Sequence, residues 1–157
     1  MKRLVVIAAA LIVVPSASAA FSITRTTGTP LTVTGITLSG IDQTKPFTVV
    51  MSVVNTGGGN GAGWNETASA TIPTSGANVL PALILTAVSA TGGAPNPTNS
   101  VTYPITILTT PLKVFNAALT TGKGTMAVTH TFTMTYPSNV LPATYSSVIT
   151  FTAALGP

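Results

Sequence analysis

Apolar and polar residues alternate with a period of two along much of this chain. The clearest stretch is 125–136. There Met126, Val128, His130, Phe132, Met134 and Tyr136 share one parity, and Ala127, Thr129, Thr131, Thr133 and Thr135 share the other. That period turns one face to a core and a threonine face to water, so it predicts a long β-strand. Residues 145–155 repeat the pattern. Tyr145, Ile149, Phe151, Ala153 and Leu155 point one way, and Ser146, Thr150 and Thr152 the other. Pro137, Asn139 and Pro142 lie between the two runs and predict a turn that makes them hairpin neighbours. Further strands are predicted over 31–39, 47–55, 64–72, 84–91, 101–108 and 112–119. Gly35 marks a bulge in the first of these, and Pro104 assigns its run to a sheet edge. The Gly-rich stretch 56–63 reads as a hairpin loop and 91–99 as a second irregular loop. Thr and Val favour pleated surfaces, and Gly, Pro and Asn punctuate the runs at short intervals. The expected fold is all-β: a two-sheet antiparallel β-sandwich, Greek-key-like, of roughly seven to nine strands.

The N-terminus departs from this pattern. Met1-Lys2-Arg3 is a short positive region, residues 4–14 are unbroken apolar, and Pro15 ends the run. Ala17-Ser18-Ala19 then places small residues at −3 and −1 of a cleavage site, which predicts a secretory signal peptide over 1–19. Its eleven-residue apolar run is too short to span a bilayer. The remainder, 20–157, reads as a single domain, exported and soluble or surface-associated, with no transmembrane segment after cleavage.

Composition narrows the function. Only 5% of the 157 residues are charged, six of them basic and two, Asp42 and Glu66, acidic. Losing Lys2 and Arg3 with the signal peptide would take the formal charge from +4 to +2. Too few Lys and Arg remain to neutralise phosphates, so nucleic acid is not an expected partner. No cysteine is present, which removes disulfides and thiolate metal sites. Thirty residues are Thr.

No catalytic constellation emerges. His130 is the single histidine, on the apolar parity of its strand, and the two acids are distant from it in sequence. No spacing suggests a nucleophile with its base, so the chain does not read as an enzyme, and neither a metal nor a cofactor is expected. Residues 57–63 lack the GK[ST] ending of a phosphate loop. Asn65-Glu66-Thr67 fits a glycosylation sequon, a weak signal at this length. Leu141-Pro142-Ala143-Thr144 matches the start of a sortase signal, but Tyr145 stands where Gly is required, so covalent wall anchoring is not expected. Glu66 shares parity with Trp64, Ala68, Ala70 and Ile72. A lone carboxylate facing inward is costly. A bulge could turn it outward, Arg25 or a Lys could meet it, or it could face a ligand.

Two segments carry more specific information. In the first, Gly61-Ala62-Gly63 leads into Trp64-Asn65-Glu66, so the sole Trp opens a strand directly after a Gly loop. In the second, Tyr145, Ile149, Thr150, Phe151, Ala153 and Pro157 keep the spacing Tyr-x3-Leu-Thr-Trp-x-Leu-x3-Pro. With these the chain resembles a divergent, short member of the WxL-domain family of bacterial cell-surface proteins. Glu66 replaces the Leu of the first motif, and Phe151 and Ala153 replace the Trp and Leu of the second. The resemblance implies non-covalent attachment to the cell wall, with peptidoglycan or another wall glycan as partner. Trp64, Asn65, Glu66, Tyr145 and Phe151 are then the candidate glycan-binding residues, since aromatic rings stack on sugar faces and amides bond their hydroxyls. Trp64 can equally be the core aromatic of a sandwich, and Tyr145 and Phe151 share one strand face, as core residues do. The alternative expectation is a structural subunit that assembles with itself or with other surface proteins into a filament or coat, because uncharged strand edges invite pairing.

Overall fold

The computed structural model describes residues 21–25, 39–56 and 63–156. The predicted signal peptide, the strand over 31–39 with its Gly35 bulge, most of the Gly-rich stretch and Pro157 lie outside the described residues.

The chain is all-β. Among the described residues there are ten strands: β1 Phe21–Arg25, β2 Gln43–Asn55, β3 Trp64–Ala70, β4 Thr74–Ser75, β5 Asn78–Val79, β6 Leu83–Gly92, β7 Ile105–Ile107, β8 Leu112–Ala117, β9 Gly124–Tyr136 and β10 Ile149–Leu155. They form a five-stranded sheet in the order β1-β2-β9-β6-β7, a three-stranded sheet in the order β10-β3-β8, and a small β4-β5 hairpin. All the strand pairs are antiparallel. The inward parities of the two larger sheets supply the core: Val49, Met51 and Val53 from β2, Ala68 and Ala70 from β3, Phe151 from β10 and the whole even-numbered face of β9 from Met126 to Tyr136.

Two expected hairpins are absent. β9 and β10 lie in different sheets, so residues 137–148 carry the chain from one layer to the other instead of turning it back on itself. β2 and β3 are likewise in different sheets, and the Gly-rich stretch between them joins layers rather than paired strands. Parity reports which face a residue occupies but not which strand lies beside it, so the sequence supports the strands without their partners.

The crossing into β10 is anchored by Tyr145. Its ring is 1% exposed and its hydroxyl donates to the Leu141 carbonyl at 3.0 Å. Thr74 and Ser146 then exchange backbone bonds, and the Val148 amide donates to the Thr71 hydroxyl. These bonds lead β10 into register with β3.

The outer edge of β8 is covered. The Ser100 amide donates to the Asn116 carbonyl, the Ala118 amide to Thr98, and the Asn116 amide to the Asn99 side chain. The Tyr103 hydroxyl donates to the Val114 carbonyl and accepts from the Asn99 amide. Pro104 precedes β7, which is an edge strand as its ring requires. Burial pushes the Tyr103 phenol from 10.0 up to about 12, against the opposing Asn99 hydrogen bond. The sign follows from proton counting. Between pH 10 and about 12 the unfolded phenol ionises while the folded one stays neutral, so the unfolded state binds fewer protons and stability falls as pH rises. Urea midpoints measured from pH 9 upwards should decline through this window, and Tyr103→Phe should flatten the decline. A residual slope of the same sign is expected from Tyr136, whose phenol burial also raises.

Candidate functional site

The two segments that carry the family resemblance come together in space. β3 and β10 are neighbours in the three-stranded sheet, in continuous register from Trp64 opposite Leu155 to Ala70 opposite Ile149. The register continues past the strands, where the Gly156 amide donates to the Gly63 carbonyl at 2.8 Å. The Asn65 side-chain amide donates to the Gly156 carbonyl at 2.6 Å, so this candidate residue spends its donor on tying down the C-terminal end. Gly63 has a local reason to precede Trp64. A Cβ there would lie 2.1 Å from the Ala117 carbonyl oxygen, so only glycine lets β3 start against β8.

Trp64 is fully buried. Its ring stacks on Phe115 with centroids 4.7 Å apart and meets Phe21 of the facing sheet at 6.3 Å. Phe151 is 2% exposed, with its ring 4.6 Å from the His130 imidazole and 6.3 Å from Phe132. Glu66 and Tyr145 are buried as well. A sugar ring cannot stack on a side chain with no surface, so the expectation that Trp64, Glu66, Tyr145 and Phe151 touch glycan is corrected here: all four are core. The physical reason is their shared inward parity. Seven of the nine aromatic side chains are buried, and only Phe47 and Tyr103 reach the surface in part.

The partner of Glu66 is His130. The Glu66 Oε2 and His130 Nε2 atoms are 2.9 Å apart, and both side chains are completely excluded from solvent. The register shift in the β3–β8 ladder places both Val114 and Phe115 inward on β8 and leaves Glu66 facing the core. Arg25 does not meet it, since its guanidinium nitrogens have no hydrogen-bond partner among the described residues. The other imidazole nitrogen, Nδ1, faces the Val49 carbonyl at 3.3 Å. Both ring nitrogens therefore point at acceptors. One is the Glu66 carboxylate and the other the Val49 carbonyl. Among the described residues Glu66 Oε1 has no partner. The pair thus spans the two sheets at the centre of the core.

The arrangement ties the two sheets together from inside the core. Both side chains are fully excluded from solvent. Among the described residues no group of three or more His, Cys, Asp or Glu could hold a metal ion. No helix of the described residues is long and apolar enough to cross a membrane. The pairing escapes the sequence reading because sequence distance hides it. The available signal was parity: the only histidine and one of two carboxylates both lie on inward faces.

Comparison with family models, with curated proteins and with solved structures finds no match to this chain.

Proposed function

We propose that this protein is an exported, non-enzymatic cell-surface protein that attaches non-covalently to the bacterial wall glycan through a WxL-like domain. The observation that carries the reading is the pairing of β3 with β10. The Gly-Trp segment and the closing Tyr segment lie far apart in sequence, yet they form one ladder and share one aromatic core. Two motifs that build a single structural unit are what a domain resemblance requires. The motif residues act by holding the sheet. Contact with the wall then falls to the polar outer surface.

The test is co-sedimentation of the purified protein with protein-free Gram-positive sacculi. Pelleting that depends on the wall supports attachment. A protein that stays in the supernatant overturns it.

A second reading, self-assembly, is favoured by one observation. β10 is an edge strand with the sequence ITFTAAL, with no charge and an exposed Leu155. Natural edges are usually guarded by charge. Pelleting without wall, with light scattering that grows with protein concentration, would establish this reading in place of the first.

A further inference from the structure

The outer face of the five-stranded sheet is chemically unusual. β9 runs through its centre, and Thr129, Thr131, Thr133 and Thr135 all project outward from it. Flanking positions continue the surface: Thr48 lies opposite Thr131 on β2, and Ser89 opposite Thr129 on β6. Pleated geometry spaces such side chains at about 7 Å along a strand and about 4.8 Å between strands. The result is a two-dimensional array of hydroxyls with methyl groups between them.

No outward position of the five strands carries a charge. The two basic residues on these strands, Arg25 and Lys45, fall on the other parity, level with Met51 and Met134. A solvated face of this extent ordinarily includes several charged side chains, because charge keeps a flat sheet from adhering to other surfaces. The hydroxyls are also unspent. Within the described residues, none of the four β9 hydroxyls bonds to another protein group. The one bulge hydroxyl in the row, Thr86, is spent on the Thr131 carbonyl at 3.0 Å. The other sheet differs: its outward row includes Lys113, and Asn65 is already committed to Gly156.

The geometry points to this threonine face as the surface that binds the wall glycan. A neutral, flat, hydroxyl-lined face matches a neutral polyhydroxyl polymer in charge and in bonding capacity. Each threonine can both donate to and accept from sugar hydroxyls and acetamido groups, and its methyl packs on the apolar sugar face. The assignment rests on the wall-attachment reading and supplies the contact surface that the buried aromatics cannot.

Sedimentation with protein-free sacculi separates the two claims. Thr129→Val, Thr131→Val and Thr133→Val together keep the β-branched shape and remove three hydroxyls. Loss of three hydrogen bonds predicts binding weaker by about tenfold or more. Thr150→Val with Thr152→Val, on the opposite face, should bind as the unaltered protein does. If three valines impair folding, Thr131→Lys alone places a charge at mid-face and should weaken binding in the same direction. A folded triple variant that binds normally overturns the face assignment and leaves wall attachment standing. An unaltered protein that ignores the sacculi overturns both.

Discussion

Replacing Glu66 by alanine should destabilise the protein by about 3–5 kcal/mol, whereas Glu66→Leu combined with His130→Leu should cost far less. The asymmetry follows from where the pair sits. Both side chains are wholly buried, and His130 Nε2 has Glu66 as its partner at 2.9 Å. Removing the carboxylate leaves an imidazole with one nitrogen still bonded to Val49 and the other facing a cavity lined by Phe151. That nitrogen then bears its desolvation cost without compensation. Removing both polar groups and filling the space with leucines takes away the unmet demand along with the bond, so the double variant escapes most of the cost. Glu66→Gln should fall between them. Its amide N–H can donate to Nε2 while Nδ1–H stays on Val49, so the bond survives without the carboxylate. A domain of this size has about 5–15 kcal/mol in hand, so the single variant approaches unfolding at ambient temperature. Urea titration followed by the fluorescence of the sole Trp would measure these proteins, together with the Glu66→Leu and His130→Leu single variants that complete the cycle. Single costs that add in the double variant would show that the two residues are not coupled, and the cross-sheet pair would lose its assigned role.

The same pair shows how far the sequence could be read. Alternation identified β9 almost to the residue, because its inward face is apolar without a break apart from His130. It put Glu66 on the inward parity and named its problem, with a bulge that would turn it outward left open. It could not name the solution, since which strand of one sheet faces which of the other depends on connections that carry no periodic signal. The missing β9–β10 hairpin has the same origin: Tyr145 does sit on the inward face, but its hydroxyl fixes a crossing between layers rather than a return. Short elements were missed for a different reason. β1 shows two inward residues, Phe21 and Ile23, which is too few for a period to emerge, and β4 and β5 have two residues each. The first four residues of β2, Gln43-Thr44-Lys45-Pro46, are polar or proline, so the pattern began only at Phe47. Four of the five candidate residues, Trp64, Glu66, Tyr145 and Phe151, lie in the core rather than on a surface. Strand parity had already assigned Trp64 and Phe151 to the side that a core would claim.

Trp64→Ala should therefore destabilise the protein by about 3–5 kcal/mol and bring it close to unfolding, whatever it does to sedimentation with sacculi. The indole occupies the junction of three elements. It stacks on Phe115 of β8, tilts against Phe21 of β1, and its Nε1 lies where a Cβ on Gly122 would come within 2.5 Å. Alanine would leave a cavity that these neighbours are too constrained to close, since β3 is hydrogen-bonded on both sides. Trp64→Phe should cost less. It keeps a ring against Phe115 and removes the Nε1–H, which has no acceptor in the core. If Trp64→Ala fails to sediment with sacculi, the cause is then a weakened fold, and thermal melting followed by circular dichroism should show it. The independent check uses the unaltered protein. An indole with no exposed surface should emit at short wavelength and resist acrylamide quenching, and titration with sacculi should leave its emission unchanged. Emission at the wavelength of free tryptophan, readily quenched and shifted by the wall, would bring Trp64 to the surface and return it to the binding site.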